Sequence, residues 1–302
     1  MEPEYFARRR CSKTASEETE RSMSLMRQTA QEDASPAPMQ RARGTGRLEA
    51  KLREGCTRLE RLYQEGCCKI RLPRSHGEAM EAVLINTSGG LTGGDRIDWK
   101  ADALAGSKLV MTTQACERIY RSTGDDARVS TALRVGPGAH IDWLPQETIL
   151  FEESRLHRSL RVDLEENATF TAVEAVLLGR EAMGEAARKA HLRDRWRIYR
   201  DGKLVHAEET RLAGEEFERE GISLLAGNNA FATILAIGPN AEEKLTALRS
   251  ILGPSVHAAA SAIGERLVLR VVAPSGLMLR RTIIPAIALL SGAGALPRLW
   301  SI

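Results

Sequence analysis

The chain has 302 residues, of which 43% are hydrophobic, so it is long enough to bury a sizeable core as one large or two modest domains. Its 43 basic and 40 acidic residues leave a net charge of +3, and aromatics make up only 4%. That balance gives no basis for nucleic acid or a membrane surface as a partner, and too few aromatic rings for base stacking.

Residues 1–46 read as a disordered extension. They mix eight basic with seven acidic residues, add Ser, Thr, Gln and Pro, and show no sustained apolar period. Arg8, Arg9 and Arg10 have no apolar run behind them, so no signal peptide is expected. No stretch approaches the ~20 apolar residues of a membrane span, which points to the cytoplasm. Five cysteines (Cys11, Cys56, Cys67, Cys68, Cys116) form no C-x-x-C pair and are expected as free thiols of a reducing compartment.

From Leu48 onward the dominant period is two. Leu48, Ala50 and Leu52 alternate with charges, as do Ile97, Trp99, Ala101 and Ala103. Val129, Thr131, Leu133 and Val135 share one face, and Leu160, Val162 and Leu164 repeat the pattern. Residues 82–85 and 167–179 are apolar on both faces, as doubly covered strands are. In 195–209, Asp201-Gly202 sits between two strand-like runs and predicts a tight hairpin. Helices are expected over 240–253, with Asn240 as N-cap and Glu243 completing a capping box before Gly253, and more weakly over 184–192 and 277–290. The sum is a mainly-β fold of mostly antiparallel strands with two or three α-helices, in a single domain over 47–302. No internal repeat forces a regular solenoid.

The stretch NTSGGLTGGDR (86–96) carries Gly89, Gly90, Gly93 and Gly94. Gly89 to Gly94 satisfies the G-x-x-x-x-G spacing of a phosphate loop. Asp95 and Arg96 then stand where Lys and Ser or Thr are required, and a carboxylate repels phosphate. A tight structural turn follows, with Asp95 capping nearby amides or pairing with Arg96.

No catalytic set emerges. The six histidines, His76, His140, His157, His191, His206 and His257, are scattered, and no G-x-S-x-G elbow occurs. Glu174 stands out because it shares parity with Ala168, Phe170, Ala172, Val176 and Leu178 in a doubly apolar strand. A buried carboxylate requires a cation, a wet cavity or a passing ion. An internal ion pair with an arginine is one reading and the lining of a hydrated interior is the other. A hydrolase or transferase using Glu147, Glu174 and Glu208 as acid/base carboxylates is the alternative function, although no spacing brings the three together.

Six stretches taken in order resemble the UreD (UreH) family of urease accessory proteins. They are NTSGGLTGGDR (86–96), TTQACERIYRS (112–122), WLPQETILFEES (143–154), EAVLLGREAMGE (174–185), RWRIYRDGKLVHAEE (195–209) and LPRLW (296–300). Cys116 departs from the small residue usual in the family's pattern and Arg118 from its common Lys. The resemblance implies a layered, helix-like stack of strands and a non-enzymatic chaperone with no tightly bound cofactor. Such a chaperone joins UreF and the GTPase UreG, docks on apo-urease and delivers nickel, and GTP is used by the partner. It also implies an internal passage for nickel in transit, for which Asp95, Gln114, Glu174 and Glu208 are the candidate oxygen ligands. Oxygen donors suit release, where a Cys/His cage would trap nickel. A standalone nickel store is a further alternative, against which the sparse Cys/His content argues.

Overall fold

In a computed structural model the structure describes residues 40–74, 77–212, 221, 225–252, 257–293 and 296–301. Most of the expected N-terminal extension, residues 1–39, lies outside this range, as do His76 and Gly253.

Period-two segments become strands in two facing sheets. The seven-stranded sheet runs, in spatial order, β14 (Lys203–Leu212), β13 (His191–Arg200), β11 (Arg155–Leu164), β8 (Ala127–Val135), β5 (Arg96–Ala103), β1 (Arg43–Arg53) and β2 (Cys56–Gly66). The second sheet has ten strands. Its main path is β16 (Ala258–Ile263), β17 (Arg266–Ala273), β15 (Ala230–Ile237), β12 (Thr169–Leu178), β9 (His140–Leu144), β6 (Lys108–Thr113), β4 (Met80–Asn86) and β3 (Cys68–Arg71). Two short strands, β7 (Glu117–Ile119) and β10 (Thr148–Leu150), join it through β12.

The chain winds alternately between the sheets, with β4, β6, β9 and β12 in one and β5, β8, β11 and β13 in the other. This is a solenoid-like coil, and it is the layered, helix-like stack expected. The expected strand direction needs correction. Strands one coil apart run the same way, so β1, β5, β8, β11 and β13 pair in parallel, as do β4, β6, β9 and β12. Antiparallel pairing is confined to the ends, at β1–β2, β3–β4, β13–β14, β12–β15, β15–β17 and β16–β17. The coil forms without a sequence repeat because alternation alone buries one face of every strand.

The inward residues of both sheets, including Leu48, Ile97, Leu133, Val162, Phe170 and Ile198, form one core. Full burial of each large aliphatic or aromatic side chain is worth about 1.5–3 kcal/mol. The outer face of the ten-stranded sheet is covered by two helices, α1 (Ala241–Ile251) and α2 (Gly276–Leu290), around Leu245, Leu248, Leu279, Ile283 and Trp300. This explains why 167–179 is apolar on both faces: β12 lies between the facing sheet and the helices.

Local chemistry fixes the boundaries. Asp201 and Gly202 both take positive φ (47° and 76°), giving the expected tight β13–β14 hairpin. Asn240 precedes α1 in the left-handed region (φ 62°) and its side chain makes no cap hydrogen bond, so the expected capping box does not form. Ser275 caps α2 instead, accepting from the Met278 amide. The helix expected over 184–192 is absent: a short 3-10 turn at Glu181–Met183 is followed by positive φ at Gly184 and Ala187, and β13 begins at His191. The first strand begins at Arg43, four residues ahead of the expected domain start. Residues Arg41–Ile302 group as one compact unit. No helix among the described residues is long and apolar enough to cross a membrane.

Candidate functional site

Glycines 89–94 are bound to protein. Gly90 would place a Cβ 2.4 Å from the Tyr120 ring, and Gly93 one 2.1 Å from Ser122 Oγ, so the turn lies flush on segment 118–125. Leu91 N–H donates to Arg118 O at 2.8 Å, and Gly94 N–H to Asp126 O at 3.1 Å. Those amides serve the fold and cradle no anion. The buried Asp95 accepts from Ala42 N–H (2.8 Å) through Oδ1 and from Thr92 N–H (2.7 Å) through Oδ2. This is the structural cap, tying the entry to β1 onto the turn.

Glu174 enters the space between the sheets from β12. Its Oε2 lies 2.5 Å from Arg158 Nη1, and its Oε1 accepts from Trp143 Nε1 at 2.9 Å. Arg158 and Asp194 are register partners on β11 and β13, and Arg158 Nη2 donates to Asp194 Oδ2 at 2.6 Å. Thr148 Oγ1 accepts from the same guanidinium at 2.9 Å. All of these groups are buried.

One guanidinium between two buried carboxylates leaves one negative charge unmatched. Burial raises the Glu174 carboxyl to about 7, and the Arg158 charge only partly opposes this. Burial alone would pull Arg158 down, but Asp194 and Glu174 outweigh it and keep the guanidinium firmly charged.

The polar layer continues sideways. Thr233 on β15 is the register partner of Glu174, and Arg270 on β17 is the partner of Thr233. Thr233 Oγ1 donates to Glu208 Oε1 at 3.1 Å, Arg270 Nη2 lies 3.1 Å from Glu208 Oε2, and His206 Nε2 lies 3.5 Å from that oxygen. Burial would raise the Glu208 carboxyl, but its His206, Arg270 and Thr233 contacts hold it below the usual carboxylate range. A pocket of about 200 Å³ opens here, lined by Glu208, Thr233, Arg270, Phe231 and Leu225. In the first group, Asp194 Oδ1 and Arg158 Nε are buried with no hydrogen-bond partner among the described residues. Such atoms are positions where water or a hydrophilic ion gains contacts.

The structure therefore brings Glu174 and Glu208 into one layer, with Thr233, the register partner of Glu174, hydrogen-bonded to Glu208. It does not bring in Gln114, an exposed residue of the loop after β6 that joins neither set of contacts. Beside Gln114, burial pushes the Glu117 carboxyl up to about 7, with Asn86 Nδ2 donating to it at 3.1 Å. Glu147 also stands apart. Thr148 turns inward to Arg158, whereas Glu147 meets Arg280 Nε of α2 at 2.9 Å and accepts from Cys116 Sγ at 3.4 Å. The three carboxylates of the hydrolase reading share no site. Among the described residues no three of His, Cys, Asp and Glu are grouped to hold a metal.

Arg158, Asp194 and Thr233 were not singled out from sequence. The signal was there: Arg158 shares parity with Leu156 and Leu160, and Asp194 with Leu192 and Trp196. A charge in the apolar register is the same anomaly that marks Glu174.

The family model for the UreD urease accessory protein matches residues 42–301. The chain belongs to the UreD family. A urease accessory protein UreD from Chelativorans sp. (strain BNC1) is 96% identical over 277 residues, which is 92% of this chain and all of the relative. UreD of Rhizobium etli is 51% identical over 270 residues, covering 87% of this chain and 96% of that protein. UreD of Sinorhizobium medicae is 47% identical over 276 residues, covering 90% and 100%. Membership places this UreD chain in urease maturation, as an accessory protein.

Proposed function

We propose that the chain is a non-enzymatic scaffold of urease maturation. It joins UreF and the GTPase UreG on apo-urease and passes nickel toward the urease active site through its hydrated interior. GTP is consumed by the partner GTPase, and nickel is cargo.

The observation that carries this reading is the polar layer between the sheets, from Arg158, Glu174 and Asp194 through Thr233 to the pocket at Glu208. A mainly-β core has no structural need for so many polar groups at its centre, since apolar residues of equal volume serve stability as well or better. Oxygen donors bind a divalent cation weakly enough to release it, as transit demands. Glu208 is the stronger candidate for touching nickel, because it lines the pocket and its cation partner Arg270 is largely exposed. Glu174 is held by Arg158 and does not line that pocket.

Co-expression of the chain with UreF, UreG and apo-urease tests the scaffold. The four should co-purify, and omitting the chain should leave urease present but nickel-poor. Urease that matures normally without the chain would refute the proposal.

A further inference from the structure

The solenoid has one end whose inward face is not closed. Strand β2 is last in the seven-stranded sheet, and its inward Leu59 and Leu62 remain 37% and 38% exposed. Tyr63 on the other face is 49% exposed. Thr57 N–H is bonded to Glu78 O, but residues 58–63 make, among the described residues, no backbone-to-backbone hydrogen bond beyond their pairing with β1. At each of the other three edges a side chain takes a backbone group: Arg266 donates to Val205 O on β14, Arg249 donates to Ala260 O on β16, and Gln64 Oε1 accepts from Ile70 N–H on β3.

The register of β2 on β1 fixes which way each side chain points. Thr57, Leu59, Leu62 and Gln64 oppose the inward Leu52, Ala50, Leu48 and Gly46. Arg58, Arg61 and Tyr63 oppose Lys51, Glu49 and Arg47 on the outer face. The register shift between Glu49 and Ala50 leaves Glu60 as the extra residue of a bulge, and it reaches outward to Lys51 and Arg53. Glu60 and Arg61 are thus neighbours on the same face.

We infer that β2 is a self-complementary edge that pairs antiparallel with β2 of a second copy of this chain. Opposite residues of a pair must share a face. Among antiparallel registers centred on this stretch, placing the two-fold axis between Glu60 and Arg61 meets that condition throughout. Leu59 then meets the partner's Leu62, Glu60 meets the partner's Arg61, and Arg58 meets the partner's Tyr63, each twice by symmetry. The pairs are apolar with apolar, anion with cation, and cation with aromatic ring. Among the described residues Arg61 is in no salt bridge within 4 Å, although it stands opposite Glu49 on β1, and a second copy would offer it the partner's Glu60. A slip of one residue sets the inward Leu62 against the partner's outward Arg58 or Glu60, and a slip of two sets Arg58 or Leu62 against the partner's Arg61. The bulge and the charges therefore suppress indiscriminate edge pairing and leave one alignment. The seven-stranded sheet would continue across the axis, and the four leucines would close the open ends of both cores.

Sedimentation equilibrium of the full-length chain tests this, with circular dichroism confirming that each variant is folded. The wild type should show a monomer–dimer equilibrium. Arg61→Glu and Glu60→Arg should each weaken it about tenfold or more, because two unlike pairs per dimer become like pairs. Combining the two swaps the charges and should restore dimerisation. A wild-type chain that is monomeric at every concentration overturns the inference. So does a dimer that ignores both single reversals, or a double variant no better than the singles.

Discussion

The two ends of the polar layer contain the same kinds of residue and do different work. At the inner end Arg158, Glu174, Asp194, Thr148 and Trp143 interlock, all buried, each held by strands of the stack. At the outer end Glu208 has Thr233, His206 and an Arg270 whose side chain is 64% exposed, beside an open pocket. A carboxylate whose cation is locked in place is structural, and one whose cation can swing into solvent can exchange partners. Burial and the mobility of the counter-charge separate the roles, which residue type alone does not.

Removing the locked cation should have the largest effect. Arg158→Met leaves Glu174 and Asp194 buried without their guanidinium and should cost about 3–5 kcal/mol in urea unfolding. A loss below ~1 kcal/mol would mean that water reaches the inner end and that the contrast between the ends is false.

By the same logic the glycine turn, packed against segment 118–125, is expected to serve the fold. Gly93→Ala puts a methyl group 2.1 Å from Ser122 Oγ and 2.4 Å from Asp125 O, and should cost about 1–3 kcal/mol. Urease matured by the folded fraction should carry normal nickel, and a loading defect at full stability would give the turn a part in transit.

What the sequence made legible follows from what alternation encodes. Period two marked β1, β5, β8 and β11 and their inward faces, and Asp201-Gly202 marked the hairpin. Strand direction was not legible, because side chains alternate identically in parallel and antiparallel pairs. Glu174 was visible as a buried charge, but its partners Arg158 and Asp194 come from strands whose register only the coil determines. Asp95 sits beside four glycines for a local reason, two amides to cap, and its position in the motif gives no hint of that.

Proton linkage sharpens the comparison further. The folded Glu174 carboxyl lies at about 7, above its ordinary 4.5. Its contribution to stability is complete below pH 4.5 and is lost as pH rises through about 7. Glu174→Gln does not ionise, so the variant should gain stability relative to wild type as pH rises across that window, read as melting temperature against pH. A constant difference between the two proteins would show that Arg158 keeps Glu174 ionised throughout. The smallest effect should come from Arg270→Ala, whose exposed guanidinium should change stability by less than ~1 kcal/mol.

The most direct measurement is nickel per active site in urease matured with Glu208→Gln or with Glu174→Gln, with co-purification of UreF and apo-urease checked alongside. With assembly intact, Glu208→Gln should lower nickel loading severalfold and Glu174→Gln should lower it much less, because an uncharged pocket attracts a dication less than a carboxylate does. Normal loading with Glu208→Gln in an intact complex would contradict transit through this layer.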